Sequence, residues 1–178
     1  FLKKNNLFEK YGLCSFKGNI KEYLFFIPLL AILTVNLWNG VRINDSFINT
    51  TLFIISMICV GFLEELIFRG FLFVSMKKDS LKVAIIVSSI TFGIGHIVNL
   101  LNGADLIPTL MQVCYAMATG YMLVIIFYKS KSLIPGIIFH GVFNSLSIFS
   151  TGESSIISSI ILIAMCLGYT IYINKKVK

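Results

Sequence analysis

Residues 51–76 read TLFIISMICVGFLEELIFRGFLFVSM, an apolar run broken by charge only at Glu64, Glu65 and Arg69. A helix crosses the ~30 Å hydrocarbon layer of a bilayer with about 20 apolar residues, so this stretch predicts a membrane-spanning helix. Only a helix or a closed barrel pairs its backbone groups in lipid, and the run has no strand alternation. Insertion scales charge about 2.5–3.5 kcal/mol for each ion at the bilayer centre, so three such groups demand compensating partners. Glu65 and Arg69 are four apart and on a helix face each other as a charge-assisted pair. Glu64 lies about 100° around the helix from Glu65 and is left without that partner. Two readings stand here: a polar cluster that glues helices together, or a functional site.

Outward from this stretch the whole chain reads the same way. Of 178 residues, 57% are hydrophobic and 13% charged, against about 25% charged in soluble domains. The mean hydropathy is +0.89. That excess does not fit inside one small globular core, and an all-α polytopic membrane bundle is expected. Six helices are predicted, at Tyr23–Trp38, Thr51–Met76, Val83–Leu100, Pro108–Tyr128, Leu133–Phe149 and Ile156–Ile173. Turn chemistry separates them at Asn39-Gly40, Lys77-Lys78-Asp79-Ser80, Asn102-Gly103, Lys129-Ser130-Lys131-Ser132 and Thr151-Gly152-Glu153. The chain divides into a basic segment (1–22), a first helix with its outer loop (23–50), a candidate catalytic core (51–149) and a last helix with a basic tail (150–178). It opens on Phe1 rather than Met, which leads us to expect a fragment or processed form preceded by further helices.

The cations test this division independently, because loops on the cytoplasmic side collect Lys and Arg. Lys3, Lys4, Lys10, Lys17 and Lys21 precede the first helix, Lys77, Lys78 and Lys82 follow the second, Lys129 and Lys131 the fourth, and Lys175, Lys176 and Lys178 the sixth. The opposite loops hold only Arg42. Both ends are therefore expected in the cytoplasm of a multi-pass, bacterial-type cell membrane protein, with Trp38, Tyr23 and Tyr128 anchoring helix ends at the interface. The net charge of +7 is thus topology and not a nucleic-acid surface, since no Lys/Arg-rich block with interleaved aromatics occurs. The first helix lacks a small-residue cleavage site and is no secretory signal. Cys14, Cys59, Cys114 and Cys166 form no C-x-x-C pair, and Cys59 among Ile and Val reads as an apolar packer rather than a nucleophile.

The only two histidines lie in the third and fifth helices, in Phe92-Gly-Ile-Gly-His96 and His140-Gly-Val-Phe-Asn144. At four-residue spacing Phe92 shares a face with His96, and His140 with Asn144. Gly93, Gly95, Gly136, Gly141 and Ala116-x-x-x-Gly120 allow close backbone approach and leave room beside the histidines. Counting from the flanking lysines at ~1.5 Å per residue puts Glu64, His96, Asn144 and His140 at depths of about 20, 21, 20 and 14 Å. Groups from three helices thus fall in one layer, and a single buried polar site is expected. A desolvated carboxylate beside an imidazole is a general base for water, and a His with an Asn amide can hold the oxyanion formed when water attacks an amide. Peptide-bond hydrolysis is the chemistry this suggests. Proton-coupled transport by a Glu/His relay and a non-catalytic membrane adaptor, acting through a membrane protein partner, are the alternatives.

In this order and on successive helices, Glu64-Glu65-x-x-x-Arg69, Phe92-x-x-x-His96 and His140-x-x-x-Asn144 resemble the CPBP family. This is the CAAX-protease and bacteriocin-processing (Abi) family of intramembrane proteases, related to the Ras-converting CAAX endopeptidase. The resemblance covers about Thr51 to Phe149 and implies an all-helical membrane endopeptidase acting on a membrane-associated or lipidated peptide or protein. Carried onto this chain it makes Glu64 and His96 the water-activating pair, His140 and Asn144 the oxyanion stabilisers, and Glu65, Arg69 and Phe92 their support. The resemblance leaves two cofactor readings. Catalysis without a metal is preferred, because Asn144 beside His140 suits a donor pair. The alternative is zinc held by Glu64, His96 and His140 with one open position.

Overall fold

The computed structural model describes residues 2–15, 28–43, 45–151 and 155–177. Phe1, Lys17, Lys21, Tyr23, Gly152, Glu153 and Lys178, which figured in the expectations above, lie outside the described residues. The regular structure within them is helical, with one isolated antiparallel bridge joining Val41 and Ser150. Six helical segments follow in order: α1 (Pro28–Leu37), α2 (Phe47–Met76), α3 (Leu81–Leu101), α4 (Leu106–Ser130), α5 (Ile134–Phe149) and α6 (Ile156–Lys176). Four of them, α2, α3, α4 and α6, are long and apolar enough to cross a membrane. α5 is shorter, and α1 is described from Pro28 onward.

Local chemistry explains where the helices start. Ser46, Ser80 and Ser155 sit in extended conformation and accept a hydrogen bond from the amide three residues on, which caps α2, α3 and α6. Asp45 accepts from the Asn49 side chain and the Ser46 amide, and these bonds hold its carboxyl below the usual carboxylate range. Pro135 occupies the first turn of α5, where a missing N–H costs little. α4 ends on Lys131 in the left-handed region, φ 57°, and the chain turns there into α5.

α4 is the central helix, flanked by α3 and α6, while α2 packs along α5 and α1 closes on α5. Met122, Leu123 and Val124 of α4 are fully buried with Phe73 of α2 and Cys166 and Ile173 of α6. The opposite surfaces stay apolar and exposed: Leu52, Ile55 and Ile58 on α2, Ile86, Ile90 and Ile94 on α3, Ile157, Ile160 and Ile171 on α6. Such a belt is a lipid-facing surface and belongs to an integral membrane protein. The cysteines are free thiols, Cys166 buried in the core and Cys59 and Cys114 on the outer surface.

Two glycine contacts set the helix spacing at the layer of interest. A Cβ on Gly61 would stand 2.8 Å from the Gly141 amide nitrogen, so α2 and α5 touch backbone to backbone. A Cβ on Gly93 would stand 2.8 Å from the Val113 carbonyl, which brings α3 equally close to α4. Gly95 differs from the sequence expectation. Nothing lies within 4 Å of its missing Cβ, so it borders open space beside His96 and is not a packing contact.

Candidate active site

α2 is not a uniform α-helix. Its α-helical part ends at Glu65, and Leu66–Phe73 continue as a π-helix before an α-helical turn closes the segment. π-Turns are rare and concentrate at functional sites. Here one freed carbonyl is satisfied from a neighbour, since the Ser88 hydroxyl of α3 donates to the Phe68 oxygen at 2.9 Å.

Arg69 lies inside this widened turn and is fully buried, as is Glu65. Its Nη1 donates to Glu65 Oε1 at 2.7 Å, its Nη2 donates to the Gly120 carbonyl at 3.2 Å, and its guanidinium carbon sits 4.2 Å from the centre of the Phe92 ring. The pair anticipated from the four-residue spacing is therefore present. Glu65 also reaches across to α5, where Nδ1 of His140 lies 3.2 Å from the same Oε1. Gly136 makes room for the carboxylate, for a Cβ there would lie 2.8 Å from Glu65 Oε2.

Glu64, a third exposed, comes to the other side of the same imidazole. Its Oε2 is 3.4 Å from His140 Nε2. The two carboxylates, expected to face different directions, thus grip one histidine by its two nitrogens. No hydrogen bond or ion pair joins Glu64 to His96. Among the described residues Glu64 Oε2 makes no hydrogen bond, so its approach to Nε2 is a close carboxylate–imidazole contact, one proton transfer away from an acid–base pair.

Phe92 is the hub that ties in the second histidine. Its ring meets His96 edge to face with centroids 5.6 Å apart and meets His140 in the same way at 5.4 Å. His96, His140, Asn144 and Phe92 line one cavity of about 50 Å³, enough for a water or two. The cavity is completed by Gln112, Tyr115, Ala116, Thr119, Phe139 and Phe143. Of these, Gln112, Tyr115 and Thr119 carry polar atoms that the sequence reading does not single out. Gln112, an amide in an apolar helix, was a visible signal, and it accepts a hydrogen bond from Asn99 at 2.8 Å. Gln112 and Tyr115 also line a larger pocket of about 520 Å³ between the starts of α4 and α6. The alternative zinc set is not gathered: among the described residues no three His, Cys, Asp or Glu side chains are grouped to hold a metal ion.

Residues 46–146, more than half of the chain, match the family model described as Type II CAAX prenyl endopeptidase Rce1-like. No curated protein and no solved structure matches the chain.

Proposed function

Because the chain belongs to the Rce1-like family of type II CAAX prenyl endopeptidases, we propose that it hydrolyses a peptide bond of a membrane-associated substrate with water activated by Glu64. The observation that carries this reading is the Glu64–His140–Glu65 arrangement, whose His140 lines a water-sized cavity together with His96 and Asn144. In the resting site Glu64 Oε2 lies beside His140 Nε2. When a substrate carbonyl enters, His140 Nε2–H and the Asn144 amide donate to its oxygen, which frees the Glu64 carboxylate. Water held against His96 gives a proton to Glu64 and attacks the carbonyl carbon; Glu64 then passes that proton to the leaving nitrogen as the C–N bond breaks. Glu65, anchored by Arg69, holds the tautomer of His140. The pocket between α4 and α6 shares Gln112 and Tyr115 with the cavity and is the route by which a peptide stretch would approach it.

The test is incubation of the purified chain in lipid with a library of lipidated and unmodified peptides, read by mass spectrometry. Site-specific cleavage supports the reading; substrate flux into proteoliposomes without any cleaved product would overturn it in favour of transport.

The chemistry above needs no Lewis acid, so cleavage should survive dialysis against a strong chelator, with elemental analysis finding well under one metal per chain. Stoichiometric zinc, with activity lost on chelation and restored by zinc, would replace this mechanism and leave the protease reading standing. We also place the lysine-rich end of the bundle in the cytoplasm. Cysteine introduced at Ser80 should then resist an impermeant thiol reagent applied to intact cells, while cysteine at Asp105 should react. The opposite pattern would invert the topology.

A further inference from the structure

We propose that Gln112 of α4 is a peptide-binding residue, whose side-chain NH₂ donates to a backbone carbonyl of the substrate close to the bond that is cut. This role presupposes the peptide hydrolysis proposed for the cavity, whose mechanism leaves Gln112 unused. Gln112, Tyr115 and Thr119 follow one another at three- and four-residue spacing and form one stripe along α4. All three line the catalytic cavity with His140 and Asn144. Gln112 and Tyr115 also line the pocket of about 520 Å³ between the starts of α4 and α6. A peptide that reaches from this pocket to the oxygen-binding pair, His140 and Asn144, therefore runs past Gln112.

The neighbouring helix turns the amide for this task. Asn99 of α3 donates from Nδ2 to Gln112 Oε1 at 2.8 Å. That bond occupies the oxygen and leaves both N–H groups of Gln112 for another acceptor. Asn99 stands three residues beyond His96, just after α3 tightens into a 3₁₀ turn over Gly95–Ile97. The bond thus joins α3 to α4 on the His96 side of the cavity. Both side chains are half-buried, so the free N–H groups are not sealed inside the bundle.

Interhelical glue is the plainer role for an amide in a membrane helix. Glue accounts for the oxygen of Gln112, but not for its two N–H groups or for its place where two spaces meet. The chemistry of those spaces fits a peptide backbone. Among the described residues their linings carry amides, hydroxyls, imidazoles and apolar side chains, but no Lys, Arg, Asp or Glu. An ion entering them would lose its hydration without gaining a charged partner, whereas backbone amides match neutral donors and acceptors. An extended peptide presents a carbonyl about every 3.3 Å, so one beside the scissile carbonyl is always within a residue or two of Gln112 as the chain passes.

The test uses the full chain in phosphatidylcholine nanodiscs and a library peptide that the parent cleaves. In copies of that peptide each carbonyl oxygen outside the scissile bond is replaced in turn by sulfur, a weaker acceptor, and kcat and KM are measured for each copy. At one position sulfur should lower kcat/KM about fivefold for the parent, within the worth of one neutral hydrogen bond. The same copy should be cleaved by Gln112→Met as well as the unmodified peptide, because Met fills the space without a donor. On the unmodified peptide Gln112→Met should lose about tenfold in kcat/KM, mostly through KM. Asn99→Ala breaks the same interhelical bond but keeps the donors, so it should lose less and stay sensitive to sulfur. Equal losses in Asn99→Ala and Gln112→Met, with sulfur sensitivity kept in both, would reduce Gln112 to glue and overturn the proposal. A parent that cleaves no library peptide removes the protease reading and this role together, whereas cleavage with no position whose sulfur effect vanishes in Gln112→Met removes this role alone.

Discussion

Glu64→Gln should lower the rate of peptide cleavage by about a thousandfold, within the range of 10²–10⁴ that a positioned general base contributes. The substitution keeps the volume and the neighbour at His140 but removes the capacity to take a proton from water. Because the Glu64 side chain is a third exposed, its loss leaves no buried ion stranded, and the melting temperature in detergent should stay close to that of the parent. His96→Ala and Asn144→Ala act on the same step from the lining of the cavity, and each should cost less than Glu64→Gln. A Glu64→Gln protein that cleaves at the parental rate would remove Glu64 from the chemistry. An inactive protein that keeps its cellular phenotype would instead favour the adaptor reading.

The layer in which these groups meet was legible because ionisable residues are scarce in apolar runs and the helix rise is fixed. Counting from Lys77, Lys82 and Lys131 places residues of α2, α3 and α5 at one depth without any knowledge of packing. The Glu65–Arg69 pair was legible for the same reason, being local to one helix. Depth, however, carries no information on rotation. Whether Glu64 faces His96 or His140 depends on how α5 is turned against α2, and that is set by the backbone contact of Gly61 with Gly141. Gly141 is visible in the sequence as a small residue, but nothing there couples it to Gly61. The π-helical stretch was also hidden, since it is stabilised from outside, by the Ser88 hydroxyl on the Phe68 carbonyl. Residues 1–22 read as a basic segment, and the fastening of residues 2–15 to the α4–α5 turn rests on the Leu133 amide, which donates to the Gly12 carbonyl, and the Ser132 hydroxyl, which donates to the Cys14 carbonyl, neither of which a residue pattern announces.

Glu65→Ala should destabilise the fold by about 3–5 kcal/mol, the usual cost of breaking a buried ion pair by removing one partner. Arg69 would keep the Gly120 carbonyl and the face of Phe92, but neither neutralises a guanidinium that has no contact with solvent. His140 would lose the partner of its Nδ1 at the same time. Glu64→Ala removes a partly solvated group and should cost far less, so the two melting temperatures separate the roles of adjacent carboxylates. Equal melting temperatures would count against the pairing of Glu65 with Arg69. A second comparison distinguishes stability from positioning. Glu65→Leu combined with Arg69→Met replaces both charges by apolar groups, and such swaps are often neutral or stabilising. The double variant should therefore recover most of the lost melting temperature. Its cleavage rate should still fall by about a hundredfold, because His140 no longer has a fixed tautomer and orientation. Recovery of both stability and activity would reduce Glu65 to packing and leave Glu64 alone responsible for setting the proton on His140.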